Sequence, residues 1–130
     1  MEQKLAEDHK RIPGALVLEG GSMRCLFTAG VLDVFLEKEM NFSYVIGVSA
    51  GSMTAMNYIS RQPGRTRDVT LGFVNDSRYL SFRRMLRKRQ IFNFDFLFGE
   101  LSHELIPFDR ETFEKSPQRF VAVATRCRTG

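Results

Sequence analysis

Residues 44–52 read YVIGVSAGS, and the interpretation of the whole chain turns on them. An apolar run from Tyr44 to Val48 meets a turn in which Ser49 stands between Gly47 and Gly51. Small, helix-compatible residues follow. A strand that ends in a tight turn and opens a helix would lift the serine hydroxyl above the sheet. The two glycines would then be needed because a Cβ at either position would collide with the neighbouring strand or helix. The alternative is an ordinary strand-to-helix turn that asks only for small residues. The surroundings have to separate the two.

Upstream, ALVL (15–18) is a continuous apolar run that ends in Glu19-Gly20-Gly21, which reads as a buried strand and its turn. In MRCLFTAGVLDVFLEKE (23–39), Leu26, Phe27, Val31, Val34 and Phe35 recur at helical spacing. Downstream of the serine, residues 50–60 are rich in small side chains and methionine, as suits a helix packed on a sheet, and RQPGR (61–65) breaks it. Residues 66–89 have a less regular helical pattern with a break near NDSRY (75–79). IFNFDFLFGEL (91–101) sets phenylalanine at alternate positions, as in a strand, yet Ile91, Asp95 and Phe98 fit helical turns equally well. Asp109 is placed to cap a short helix over 110–116, which Pro117 ends. FVAVAT (120–125) reads as a third buried strand. The alternation of strands and helices argues for an α/β fold, a mostly parallel sheet with helices on both faces.

The 130 residues suffice for one domain, and their 43% hydrophobic and 26% charged content excludes disordered and fibrous classes. No apolar run has the length of a membrane span. The start, MEQKLAEDHKRIPG, is charged with both signs and has no apolar core, so it is not read as a secretory signal and a cytoplasmic location is expected. Cys25 and Cys127 share no metal-like spacing with His9 or His103, so neither a disulfide nor a metal site is expected, and no cofactor. The net charge of +4 gathers in RRMLRKR (83–89), running from Arg83 to Arg89. Such a run is either a solvated helix face or a patch that attracts phosphate. No nucleic-acid recognition module accompanies it, and no nucleic-acid partner is expected.

Gly20-Gly21-Ser22 and the turn around Ser49 both end strands and open helices. At the carboxyl edge of a parallel sheet they would share one crevice. The first turn offers consecutive backbone N–H groups at a helix N-terminus, and the second offers a hydroxyl. A nucleophile beside a cradle for negative charge is what acyl transfer requires. A dinucleotide loop is the competing reading of GGSMRC. That loop would need a third glycine and an acidic residue after the next strand, and both are absent.

The stretches LVLEGGSMRCLFTAGVLD (16–33), YVIGVSAGSMTAMNYIS (44–60), VNDSRYLSFRRMLR (74–87) and FNFDFLF (92–98) resemble the N-terminal half of a bacterial patatin-like phospholipase. The resemblance implies a three-layer α/β/α sandwich, here truncated, and hydrolysis of acyl esters, typically in lipids. It divides the chain into a charged leader (1–13) and the incomplete hydrolase domain (14–130). Ser49 would be the nucleophile and Gly47 and Gly51 its elbow glycines. Gly20, Gly21, Ser22, Met23, Arg24 and Ala50 would form the oxyanion hole. Two residues depart from the family pattern, which carries glycine where this chain has Ser22 and Cys25. The family's dyad aspartate, in an Asp-Gly turn, has no counterpart here, and Arg126 stands where the family tends to carry an aspartate.

The expected partners are a lipid or other acyl-ester substrate and self-association through an uncovered sheet edge. The alternative function is an inactive module that contacts a membrane surface or a partner through the Arg83 to Arg89 patch and the adjoining phenylalanines.

Overall fold

The computed structural model describes residues 11–130, so of the leader at 1–13 only the last three fall within it. Asp8 and His9 lie outside the described residues. The chain forms two compact units, one extending to Thr66 and resuming at Asp109, the other comprising Arg67–Phe108.

The first unit is built on three parallel strands, β1 (Arg11–Leu18), β2 (Asn41–Val48) and β3 (Arg119–Val123), in the order β1-β2-β3. A 3-10 turn (Ser22–Arg24) leads from β1 into α1 (Cys25–Glu37), and α2 (Ala50–Ile59) follows β2. After the second unit, α6 (Arg110–Lys115) precedes β3. Its cap is as expected, with the Asp109 carboxylate accepting the Thr112 N–H at 2.9 Å. The expected α/β class holds.

Register explains the distribution of burial. Leu16 lies beside Val45 and Val45 beside Phe120, so these three share a face, and Leu18 falls on it two residues on. Leu32 from α1 and Ala55, Tyr58 and Ile59 from α2 join Leu18 and Val45 in the core, with Leu16, Phe35, Phe113 and Phe120 packed against them. Tyr58 crosses the core and its hydroxyl donates to the Met40 carbonyl.

The other face departs from expectation. Val17, Tyr44, Val48, Val121 and Val123 are all exposed. Residues 15–18 therefore alternate between core and solvent, and β3, read as buried, is largely exposed. Both α1 and α2 pack on one face, and the long connection from β2 to β3 spends 67–108 in a separate unit. Among the described residues of the first unit, no helix packs on the second face.

The second unit contains the end of α3 (Arg65–Gly72), α4 (Phe82–Lys88), and a helical turn α5 (Phe94–Phe96) that continues as a π-helical segment (Leu97–Leu105) kinked at Gly99. The ambiguous phenylalanine run is thus helical from Phe94 onward. Tyr79, Phe96, Leu97 and Leu101 are buried, and the Arg78 guanidinium lies 4.8 Å from the centre of the Phe96 ring. Among the described residues no helix is long and apolar enough to cross a membrane.

Candidate active site

Ser49 sits where β2 ends and α2 begins, with φ 53° and ψ −125°. This backbone is unfavourable for any residue with a Cβ and costs on the order of 1–3 kcal/mol, which the surrounding structure must hold in place. Close packing holds it. A Cβ on Gly47 would lie 2.5 Å from the Ser52 Cα, and one on Gly51 would lie 2.5 Å from the carbonyl oxygens of both Leu18 and Glu19. The start of α2 is therefore pressed against the end of β1 at a separation only glycine permits. The Ser49 carbonyl accepts the Ser52 N–H at 2.9 Å and so closes the first turn of the helix.

The side chain of Ser49 is exposed, and its hydroxyl has no hydrogen-bond partner among the described residues. Beside it runs the loop after β1. A Cβ on Gly20 would approach the Ser49 Cβ to 3.1 Å, so the two turns adjoin at the same edge of the sheet. Along this loop the N–H groups of Gly21, Ser22 and Met23 have no acceptor among the described residues, nor does that of Ala50. All four lie at helix starts, where unpaired donors and a partial positive charge are intrinsic. The Arg24 guanidinium folds back over Gly21, its Nε 3.0 Å from where a Cβ would stand.

Ser22 has φ 50°, the left-handed region that costs a residue with a Cβ about 1–2 kcal/mol. The serine in place of the expected glycine therefore sits in a conformation that glycine would adopt without strain. Cys25 is half-buried at the start of α1 and belongs to no disulfide.

The remaining candidates are placed elsewhere. Asp33 receives the Gly64 N–H on both carboxylate oxygens at 3.1 Å, Asp76 holds Arg78, and Asp109 caps α6. None of the aspartates in 11–130 is hydrogen-bonded to Ser49. His103 lies in the π-helical segment of the second unit.

Sequence reasoning missed a buried polar support under α2. Asn57 donates to the Thr66 hydroxyl at 2.8 Å and accepts from the Arg65 guanidinium at 2.9 Å, all three residues being buried. Burial lowers the Arg65 guanidinium below its ordinary range. The only trace of this in the sequence is an asparagine on the apolar side of a helix, which points to no particular partner.

Residues 16–129 match the family model described as patatin-like phospholipase. Over 99 residues the chain is 34% identical to the uncharacterized protein YjjU of Escherichia coli K12, which takes in 75% of this chain. The chain spans 28% of that relative's length. No solved structure matches it. With a family model matched from the first strand through the last, the chain belongs to the patatin-like phospholipase family.

Proposed function

We propose that the domain to which these residues belong is a serine acyl-ester hydrolase acting on lipid or lipid-like esters. Ser49 is its nucleophile, and the loop of Gly20, Gly21, Ser22, Met23 and Arg24, with the N–H of Ala50, is its oxyanion cradle. The Ser49 Oγ forms a bond to the ester carbonyl carbon, and the carbonyl oxygen becomes the oxyanion received by backbone N–H groups. Collapse breaks the ester C–O bond, and the departing alcohol carries the proton that the serine gave up. Water then attacks the acyl-serine, releasing the carboxylic acid and restoring the hydroxyl.

One observation carries this reading. An exposed serine is held at φ 53° on a strand-to-helix turn, directly against a loop whose N–H groups are unpaired. An ordinary turn of small residues has no need of that backbone conformation. A base for the serine proton is not among the hydrogen-bond partners described, so turnover by these residues alone should be slow while the cradle and nucleophile persist.

A fluorophosphonate probe tests the assignment, because it captures a serine next to an oxyanion cradle. Labelling of the wild-type chain that vanishes in Ser49→Ala supports it. Equal labelling of both forms removes Ser49 from the role.

A further inference from the structure

The second unit carries a basic helix whose apolar side chains are in solvent. Phe82 is 69% exposed and Leu86, one turn later on α4, is 82% exposed. Between and after them come Arg83, Arg84, Arg87, Lys88 and Arg89, and no carboxylate occurs from Ser81 to Phe94. Among the described residues none of these five cations forms an ion pair, whereas Arg67, Arg78, Arg110 and Lys115 are each paired with a carboxylate.

The helix is held, not frayed. Leu80 and Phe92 form an antiparallel bridge at its base, with the Ser81 N–H donating to the Ile91 carbonyl at 3.1 Å and the Asn93 N–H to the Tyr79 carbonyl at 3.0 Å. The Tyr79 and Phe92 rings meet edge to face at 5.5 Å. The Ser81 hydroxyl caps the helix start, and Arg89 closes its end in the left-handed region at φ 55°. Just beyond the base, Phe94 and Phe98 stack with their planes 14° apart and remain about half exposed.

A solvated helix face would carry polar side chains at positions 82 and 86. A purely phosphate-binding patch would draw nothing from Leu86. A surface with phosphate at the outside and hydrocarbon just beneath uses both kinds of side chain at once. We propose that the 81–91 loop, with Phe94 and Phe98 beside its base, docks the protein on anionic membrane surfaces. Phe82 and Leu86 enter the acyl boundary, and Arg83, Arg87 and Lys88 meet the headgroup phosphates. The proposal is independent of Ser49, so the Ser49→Ala chain tests it without ester cleavage.

The experiment is co-sedimentation of that full chain with phosphatidylcholine vesicles, with and without phosphatidylglycerol. Binding to the anionic vesicles is expected, weak on neutral ones and released by salt. Neutralising cations costs about fivefold each, so Arg83→Gln with Arg87→Gln and Lys88→Gln loses on the order of a hundredfold. Phe82→Ser with Leu86→Ser, at exposed positions and checked for folding by circular dichroism, loses roughly tenfold or more. Equal partition onto both vesicle types overturns the proposal, as does no binding to either. Unchanged vesicle binding by the Phe82/Leu86 variant also overturns it and leaves a patch for a soluble polyanion. Preferential retention by duplex DNA has the same consequence.

Discussion

Gly20 is pressed against Ser49: a Cβ on the glycine would lie 3.1 Å from the serine Cβ and 3.3 Å from the Val48 carbonyl oxygen. Two turns separated by a whole helix in sequence are thereby held within a van der Waals contact. The conformation of one limits that of the other.

That tightness predicts a graded response to added methyl groups. Gly51→Ala would force a Cβ to within 2.5 Å of two backbone carbonyls and should destabilise the fold by about 2–3 kcal/mol. Gly30→Ala, in the interior of α1 with nothing within 4 Å of the new Cβ, should stabilise it by about 0.5–1 kcal/mol. Denaturant melts of the two variants against wild type make the comparison. Equal effects would mean that the two turns are not packed as described.

Ser22→Gly should be stabilising. Relief of a left-handed φ gains about 1–2 kcal/mol, and the extra freedom of glycine in the unfolded chain returns about 0.5–1 kcal/mol of it. A net gain of about 0.5–1 kcal/mol is therefore expected. The denaturation midpoint reads it directly, and a lowered midpoint would show that the Ser22 side chain contributes more than its strain costs.

Alkaline pH should weaken the first unit through Tyr58. Burial raises its phenol above the ordinary value of 10.0. The folded chain then keeps a proton that the unfolded chain releases. Its contribution is complete below about pH 10 and is lost as pH rises through the folded value. Tyr58→Phe should flatten that part of the stability–pH curve. It should also cost on the order of 1 kcal/mol at neutral pH, because the Met40 carbonyl loses its donor. Chemical denaturation from pH 7 to 11 would show both effects, and parallel wild-type and variant curves would count against the assignment.

We further propose that the bare sheet face drives self-association. Val17, Tyr44, Val48, Val121 and Val123 make an apolar surface of a kind that monomers seldom leave in water. Among the described residues β3 pairs with β2 alone. Sedimentation velocity should show mass rising with concentration, and Val17→Thr with Val121→Thr should reduce it. A monodisperse monomer across the concentration range would refute this.

The order of elements was legible because its signals are local. Glycine turns, the apolar run of β2 and the Asp109 cap each depend on a few neighbouring residues, and the structure places all of them as read. The two glycine turns were legible as neighbours because adjacent parallel strands present their carboxyl ends together. The segment 91–98 was undecidable, since its alternating rings fit a strand while Ile91, Asp95 and Phe98 fit helical turns over so short a run. Tertiary packing settled it by burying Phe96 and leaving Phe94 and Phe98 outside.

Burial itself was decided only by the tertiary structure. An apolar run such as ALVL or FVAVA records that a residue can be buried, and whether it is depends on which layers arrive from elsewhere in the chain. Here the helices collect on one sheet face, which leaves Val17 and Val123 in water while Leu16 and Phe120 pack against the core. Within the second unit, Phe82 and Leu86 likewise stay at the surface beside their arginines. Hydrophobicity is a property of each side chain, whereas exclusion from solvent is a property of the assembled neighbours.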